Sequence, residues 1–319
     1  MEGTELTSSH GMSIGLGLPQ VGRFADAAVL RSIAVQAEAA GFASLWTLDR
    51  LLTPLDAPEL PGEHPGEAAV LDPMLALTLA AAVTDRIGLG TGVLIAPLHS
   101  PVVLARSAAT LDRLSEGRFT LGLGLGRSIA DLAAAGVPAR GRQVRIEQML
   151  EVMARVWRDD VVDIETSREL VVPSRIDLKP AHGPRPPLLL ATSRPAGLER
   201  TARRADGWIA TALPFDTVAD RWSTILKIAD RYGRDASSLR LVLRADVSLT
   251  ERADRTTGRA PFTGAPVQIR ADIERARDLG AHHVILDLQH TATSEQHLLD
   301  LALQLADGFL SPATYPQAA

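Results

Sequence analysis

The chain has 319 residues, 46% of them hydrophobic, and a formal net charge of −5 at pH 7; it can bury one barrel-sized core or two ordinary ones, and it lacks the basic field that phosphate-backbone binding needs. The absence of cysteine excludes disulfides, thiolate nucleophiles and cysteine-ligated metal centres, and fits a reducing cytoplasm. No run approaches the roughly 18 apolar residues of a membrane span, and the N-terminus has no signal-peptide core, so the expectation is a cytoplasmic protein with small-molecule partners, no nucleic acid and no membrane.

After a tail over 1–12, strand-like SIGLGL (13–18) precedes Asp26, a cap for a helix over 27–40 whose Leu30, Ile33, Ala34 and Ala37 share a face before Gly41 stops it. SLWTL (44–48) leads into a proline-rich stretch, 51–71, without helix or strand periodicity. Asp72–Pro73 and Ser100–Pro101 each set a capping residue before a proline at a first helical position. Between and after them run two strands, IGLGTGVLI (87–95) and RFTLGLGL (118–125). Their glycines, Gly88, Gly90 and Gly92, then Gly122, Gly124 and Gly126, recur at spacing two and strip one face bare.

A helix over about 140–157 gathers Val144, Ile146, Leu150, Met153 and Trp157 on one side, and residues 158–186, with VVDIE and ELVV, read as a small hairpin. PLLLAT (187–192), GWIAT (207–211), RLVLRADVSL (240–249) and HHVILDL (282–288) complete eight strands. Helices start at Pro195 and lie near 266–279 and 294–309, and 250–264 is a polar, glycine-containing connection.

Eight strands each followed by a helix predict an α/β fold, a TIM (β/α)8 barrel in a single domain over 13–312, with insertions after strand 2, before strand 5 and after strand 7, and a C-terminal tail over 313–319. The rival is a doubly wound sheet, whose G-x-G-x-x-G turn would need glycine where this chain has Gln20. In a barrel, chemistry sits at the C-terminal ends of the strands. The two glycine-bearing strands should adjoin there, giving either a flat backbone patch for a planar ring or a crowded layer that admits only small residues. The loop at Thr192, Ser193 and Arg194 opens a helix, so it is either a phosphate site or a plain helix cap. No histidine pair has metal-ligand spacing, so no metal is expected; nor is there a G-x-S-x-G elbow or a P-loop.

Four segments taken together, AEAAGFASLWTLDRL (37–51), the stretch 72–126 with RIGLGTGVL and ATLDRLSEGR, GVPARGRQVRIEQMLEVMARVW (136–157) and RPPLLLATSRPAGLERTARRADGWI (185–209), resemble the bacterial luciferase-like flavin and deazaflavin oxidoreductases. The resemblance implies a TIM barrel and a ring-supporting backbone bulge in strand 3, often with a non-proline cis peptide, here matching Gly92–Val93. It maps Thr91, Gly126, Arg127 and Ser128 to contacts around the ring and its side chain, and Thr192, Ser193 and Arg194 to the phosphate loop; Asp49 is expected to fix Arg50 or the cofactor, or else to cap its loop. LWTLDRL and RIGLGTGVL look closest to the branch using coenzyme F420, an 8-hydroxy-5-deazaflavin that transfers hydride.

Two positions depart from that branch: Arg50 stands where many members have histidine, and Arg127 where many have glutamate. Arginine stays protonated and supplies no proton, but it orients carboxylates and stabilises developing anions. The resemblance therefore implies an F420-dependent oxidoreductase passing hydride to or from a small organic, carbonyl-bearing or anionic substrate, with Arg50 and Arg127 orienting it and His64 or His99 placed to supply a proton. Its alternatives are an FMNH2-dependent monooxygenase with a flavin reductase partner, and a cofactor-free barrel acting as a binding subunit. A homodimer is implied as well.

Overall fold

The computed structural model describes residues 11–55, 69–254 and 258–310. In chain order its elements are β1 (Ser13–Gly17), α1 (Ala27–Ala40), β2 (Ser44–Thr47), α2 (Pro73–Ala81), β3 (Gly88–Thr91), β4 (Leu94–Ile95), α3 (Pro101–Leu114), β5 (Phe119–Gly124), α4 (Ile129–Ala134) and α5 (Arg142–Arg158). They continue with β6 (Val161–Glu165), β7 (Leu170–Arg175), β8 (Leu188–Ala191), α6 (Pro195–Arg204), β9 (Gly207–Thr211), α7 (Phe215–Arg231), β10 (Arg240–Asp246), β11 (Ser248–Leu249), β12 (Thr263–Gly264), α8 (Pro266–Asp278), β13 (His283–Asp287) and α9 (Glu295–Ala306).

Eight strands close on themselves in the order β1, β2, β3, β5, β8, β9, β10, β13, with every neighbouring pair parallel. The closing pair is β3 with β5, through Leu89 opposite Phe119 and Gly90 opposite Thr120. This is the (β/α)8 barrel expected, because each strand's outward residues are apolar and each connecting helix covers them with one apolar stripe. In α1 that stripe is Leu30, Ile33, Ala34 and Ala37; Asp26 caps the first turn and Gly41, at φ 90°, ends the last. Asp72 caps α2 through the Leu75 amide. Ser100 does not cap α3 with its side chain, and Val144, assigned to the buried side of α5, is exposed.

The insertion before β8 is the antiparallel hairpin β6–β7. Two predicted strands are shorter than expected. Residues 87–95 break after Thr91 and resume as β4 beside β5, and 240–249 breaks after Asp246, its last two residues pairing with β12 instead. Most of the 51–71 loop, with His64, and most of both tails lie outside the described residues. Among the described residues no helix is long and apolar enough to cross a membrane, and no cluster of histidine and carboxylate residues could hold a metal.

Candidate active site

At the C-terminal mouth of the barrel, the peptide Gly92–Val93 is cis. It is the bond to which the resemblance pointed. The Thr91 hydroxyl, fully buried, donates to the Gly122 carbonyl and accepts from the Gly122 amide, both at 2.9 Å, and so bridges β3 and β5 where their backbones part. On the other side the Gly92 amide donates to the Thr47 carbonyl at 2.7 Å. The exit of the bulge is held by Asp49, whose Oδ2 accepts from the Ile95 amide at 2.9 Å and lies 3.4 Å from His99 Nε2. Thr91 and Asp49 therefore act on the bulge itself, Thr91 through its hydroxyl and Asp49 through Oδ2.

The glycines do not leave an open patch. A side chain at Gly90 would stand 2.5 Å from the Trp46 indole, one at Gly122 would run into the Thr91 carbonyl, and one at Gly124 would stand 2.7 Å from Val93. Bare backbone on β3 and β5 thus makes room for Trp46 and for the bulge. The barrel interior is filled by Trp46, Leu189, Ile209, Val242 and Ile285, with Val93 and Ala191 packed against them.

Beneath the indole lies a buried polar network. His283 Nδ1 is 2.7 Å from Ser13 Oγ, and its Nε2 is 2.9 Å from Ser44 Oγ and 3.2 Å from Trp46 Nε1. The indole N–H donates to Ser44 Oγ at 2.6 Å and is shared with Nε2, and Ser44 Oγ turns its own hydrogen to Nε2, so Nε2 is the acceptor and Nδ1 carries the proton of a neutral ring. Burial lowers the His283 pKa to about 4.

The bulge is braced from across the barrel. Arg244 stands on β10, four places round the ring from β3, and its Nη1 donates to the Gly92 carbonyl at 2.9 Å. Its Nη2 donates to Asp287 Oδ2 at 2.7 Å and lies 3.0 Å from Asp246 Oδ1. Asp287 also accepts from the Gln289 side chain at 3.0 Å, and Gln289 accepts the backbone amides of Gln20 and Val21. Arg244 is held above its ordinary pKa by Asp246 and Asp287, which together outweigh its burial. Residues 244, 246 and 287 escaped the sequence reading, though each is two or four positions from an inward residue, Val242 or His283. Charge on the inward face of a barrel strand was the available signal.

Around this centre lie the remaining candidates. Arg50 donates through Nε to the Leu52 carbonyl at 3.1 Å, within its own loop. Arg127 is exposed, on a turn whose Gly126 carbonyl is held by Arg142 at 2.7 Å, and near enough to Asp246 to act on its charge. Ser128 caps α4 through the Asp131 amide at 3.2 Å. At the start of α6, Ser193 and Arg194 are exposed and Thr192 half-buried; no side chain caps this helix, so the helix-cap alternative is not realised. Gly197 has no side chain because the Thr192 hydroxyl occupies that space.

The family model for luciferase-like monooxygenase matches residues 8–317. The chain belongs to the luciferase-like monooxygenase family. Members include F420-dependent dehydrogenases and flavin monooxygenases, which are oxidoreductases. This luciferase-like chain is 33% identical over 192 residues to an F420-dependent glucose-6-phosphate dehydrogenase of Beutenbergia cavernae, covering 57% of this chain and 52% of the relative. It is 30% identical over 199 residues to the 4-hydroxyprotoasukamycin monooxygenase of Streptomyces nodosus subsp. asukaensis, covering 59% and 54%. The chain thus spans about half the length of these relatives. An F420-dependent secondary alcohol dehydrogenase solved with an F420–acetone adduct superposes with a TM-score of 0.75 at 15% identity, covering 92% of this chain and 98% of the other, and so shares its fold.

Proposed function

We propose that the protein is an F420-dependent oxidoreductase that passes hydride between the deazaflavin and a small carbonyl-bearing or anionic substrate. The observation that supports a ring-bearing coenzyme is the break between β3 and β4, held by Thr91, Asp49 and Arg244, and the 33% identity to an F420-dependent glucose-6-phosphate dehydrogenase supports the deazaflavin. The loop at Thr192, Ser193 and Arg194 fits a phosphate: Pro195 has no N–H and the Gly197 and Leu198 amides donate to the Arg194 carbonyl, which leaves the Ala196 amide and the dipole of a ten-residue helix beside two hydroxyls and one cation. When bound, the coenzyme supplies or accepts hydride at its C5.

The chain's own residues do the rest. Val93 and the bulge support the ring from the barrel side, Arg194 with Thr192 and Ser193 holds the phosphate, and Gly126, Arg127 and Ser128 form the facing rim. Arg127 and Arg50 attract an anionic substrate or stabilise negative charge developing on a carbonyl oxygen. The rival reading, a monooxygenase using reduced FMN, is favoured by the monooxygenase among the relatives. Anaerobic oxidation of reduced F420 by a panel of ketones, aldehydes and enones supports the proposal; oxygen uptake with reduced FMN, and none of that oxidation, replaces it with the rival. We also propose a homodimer, which analytical ultracentrifugation of the purified protein tests, located in the cytoplasm, which cell fractionation tests.

A further inference from the structure

Arg50 and Arg127 supply no proton, the His99 ring lies 3.4 Å from the Asp49 carboxylate, and His290 acts on the charge of Asp246 and Asp287. Those two carboxylates have the geometry of an acid. Asp246 and Asp287 are register partners at the ends of β10 and β13, and both stand beside one guanidinium. Their surroundings differ sharply. Asp287 is 4% exposed; it accepts from Arg244 at 2.7 Å and from the Gln289 side chain and amide at 3.0 and 3.3 Å. Asp246, at the C-terminal end of β10, is 20% exposed, and its Oδ1, though 3.0 Å from Arg244, is buried without a hydrogen-bond partner among the described residues. Two neighbouring carboxylates with one good counter-ion do not both ionise readily, and the proton goes to the one with fewer donors.

We infer that Asp246 is the general acid and base of this site, holding the proton that the substrate oxygen gains or loses. The inference rests on the hydride-transfer reading. In the reducing direction hydride from the reduced deazaflavin forms a C–H bond at the carbonyl carbon, the C=O π pair moves to oxygen, and that oxygen takes the proton from Asp246. The products are the alcohol, the oxidised deazaflavin, which also releases the ring N–H proton of its reduced form, and an Asp246 carboxylate, paired with Arg244 until that proton returns to it through solvent. The oxidising direction is the reverse.

The charged groups facing Asp246 agree with this assignment. Burial and Asp287 raise its pKa, while Arg244 on its own strand, His290 after β13 and Arg127 after β5 oppose that. Asp287 is moved the other way, its own burial outweighed first by Arg244 and then by His290 and Gln289. Arg244 is a positioning residue, linking the acid to the bulge through the Gly92 carbonyl.

Difference infrared spectroscopy of the coenzyme-free protein, labelled with 13C-aspartate, reads the proton directly. The expected result is a protonated-carboxyl band persisting well above the ordinary aspartate value of 3.8, absent in Asp246→Asn and titrating at lower pH in Asp287→Asn, where Arg244 is left to Asp246 alone. A band that survives in Asp246→Asn, or a wild type with none above about pH 4, overturns the inference. In turnover, Asp246→Asn should bind F420 within about threefold of wild type while kcat falls about 10²- to 10⁴-fold; undiminished kcat overturns it. A wild type with the band but no affinity for F420 overturns the hydride-transfer reading and the carbonyl assignment with it, while leaving the protonated Asp246 in place.

Discussion

Acid should unfold this barrel through His283. The neutral ring accepts from Ser44 and Trp46 and donates to the half-buried Ser13; the ring itself is buried, and that burial lowers its pKa from an ordinary 6.5 to about 4. The unfolded chain takes up a proton as the pH drops below 6.5, whereas the folded chain waits until about 4. The stability at stake is present above 6.5 and is lost as the pH falls through that window. At 1.36 kcal/mol per pKa unit the full loss is about 3 kcal/mol, and about 2.5 kcal/mol of it has gone by roughly pH 4.5. The assay is urea denaturation of wild type and His283→Asn at intervals from about pH 7 to pH 4.5. Carboxylates elsewhere, and His282, whose pKa burial and Arg240 also lower, are common to both proteins and cancel in the difference. The variant starts less stable, and the gap between the two curves should narrow by about 2.5 kcal/mol on acidification. Curves parallel within about 0.5 kcal/mol, or a direct NMR titration placing the His283 ring near its ordinary 6.5, would refute the reasoning.

Gly90→Ala should cost about 1–3 kcal/mol, because its methyl group would stand 2.5 Å from the Trp46 indole; chemical denaturation checks it, and a neutral result means the indole has room to move. Arg244→Met should cost about 3–5 kcal/mol, since it strands the buried Asp287 carboxylate and the Gly92 carbonyl together; adding Asp287→Asn should recover part of that, and no recovery would show that the two charges are not coupled. Arg194→Ala, at an exposed helix start, should weaken coenzyme binding at least about tenfold, as expected for loss of a charge-assisted phosphate contact, and leave the melting temperature almost unchanged. Equal binding would move the phosphate elsewhere.

The eight barrel strands were legible because their alternation and their turn residues agree, and so were the caps at Asp26 and Asp72. The break in the third strand was not, since GLGTGVLI alternates straight through Gly92–Val93; only the resemblance pointed to that bond. Helix α7 went unmarked although Phe215, Val218, Trp222, Ile225 and Ala229 carry the helical period. The glycine spacing raised the right question, and the sequence left both answers open. Which one held depended on Trp46, an indole from the neighbouring strand whose direction no local pattern fixes. The Arg244, Asp246 and Asp287 cluster joins residues up to 43 positions apart. Each looks like an ordinary charge until the barrel turns it inward.

The claim that the bulge and the helix start together hold a deazaflavin is tested most directly by titrating the purified protein with F420 and, separately, with FMN, each oxidised and reduced. The expected result is saturable, selective F420 binding that weakens in Arg194→Ala. Selective binding of reduced FMN, or binding of neither, would contradict it.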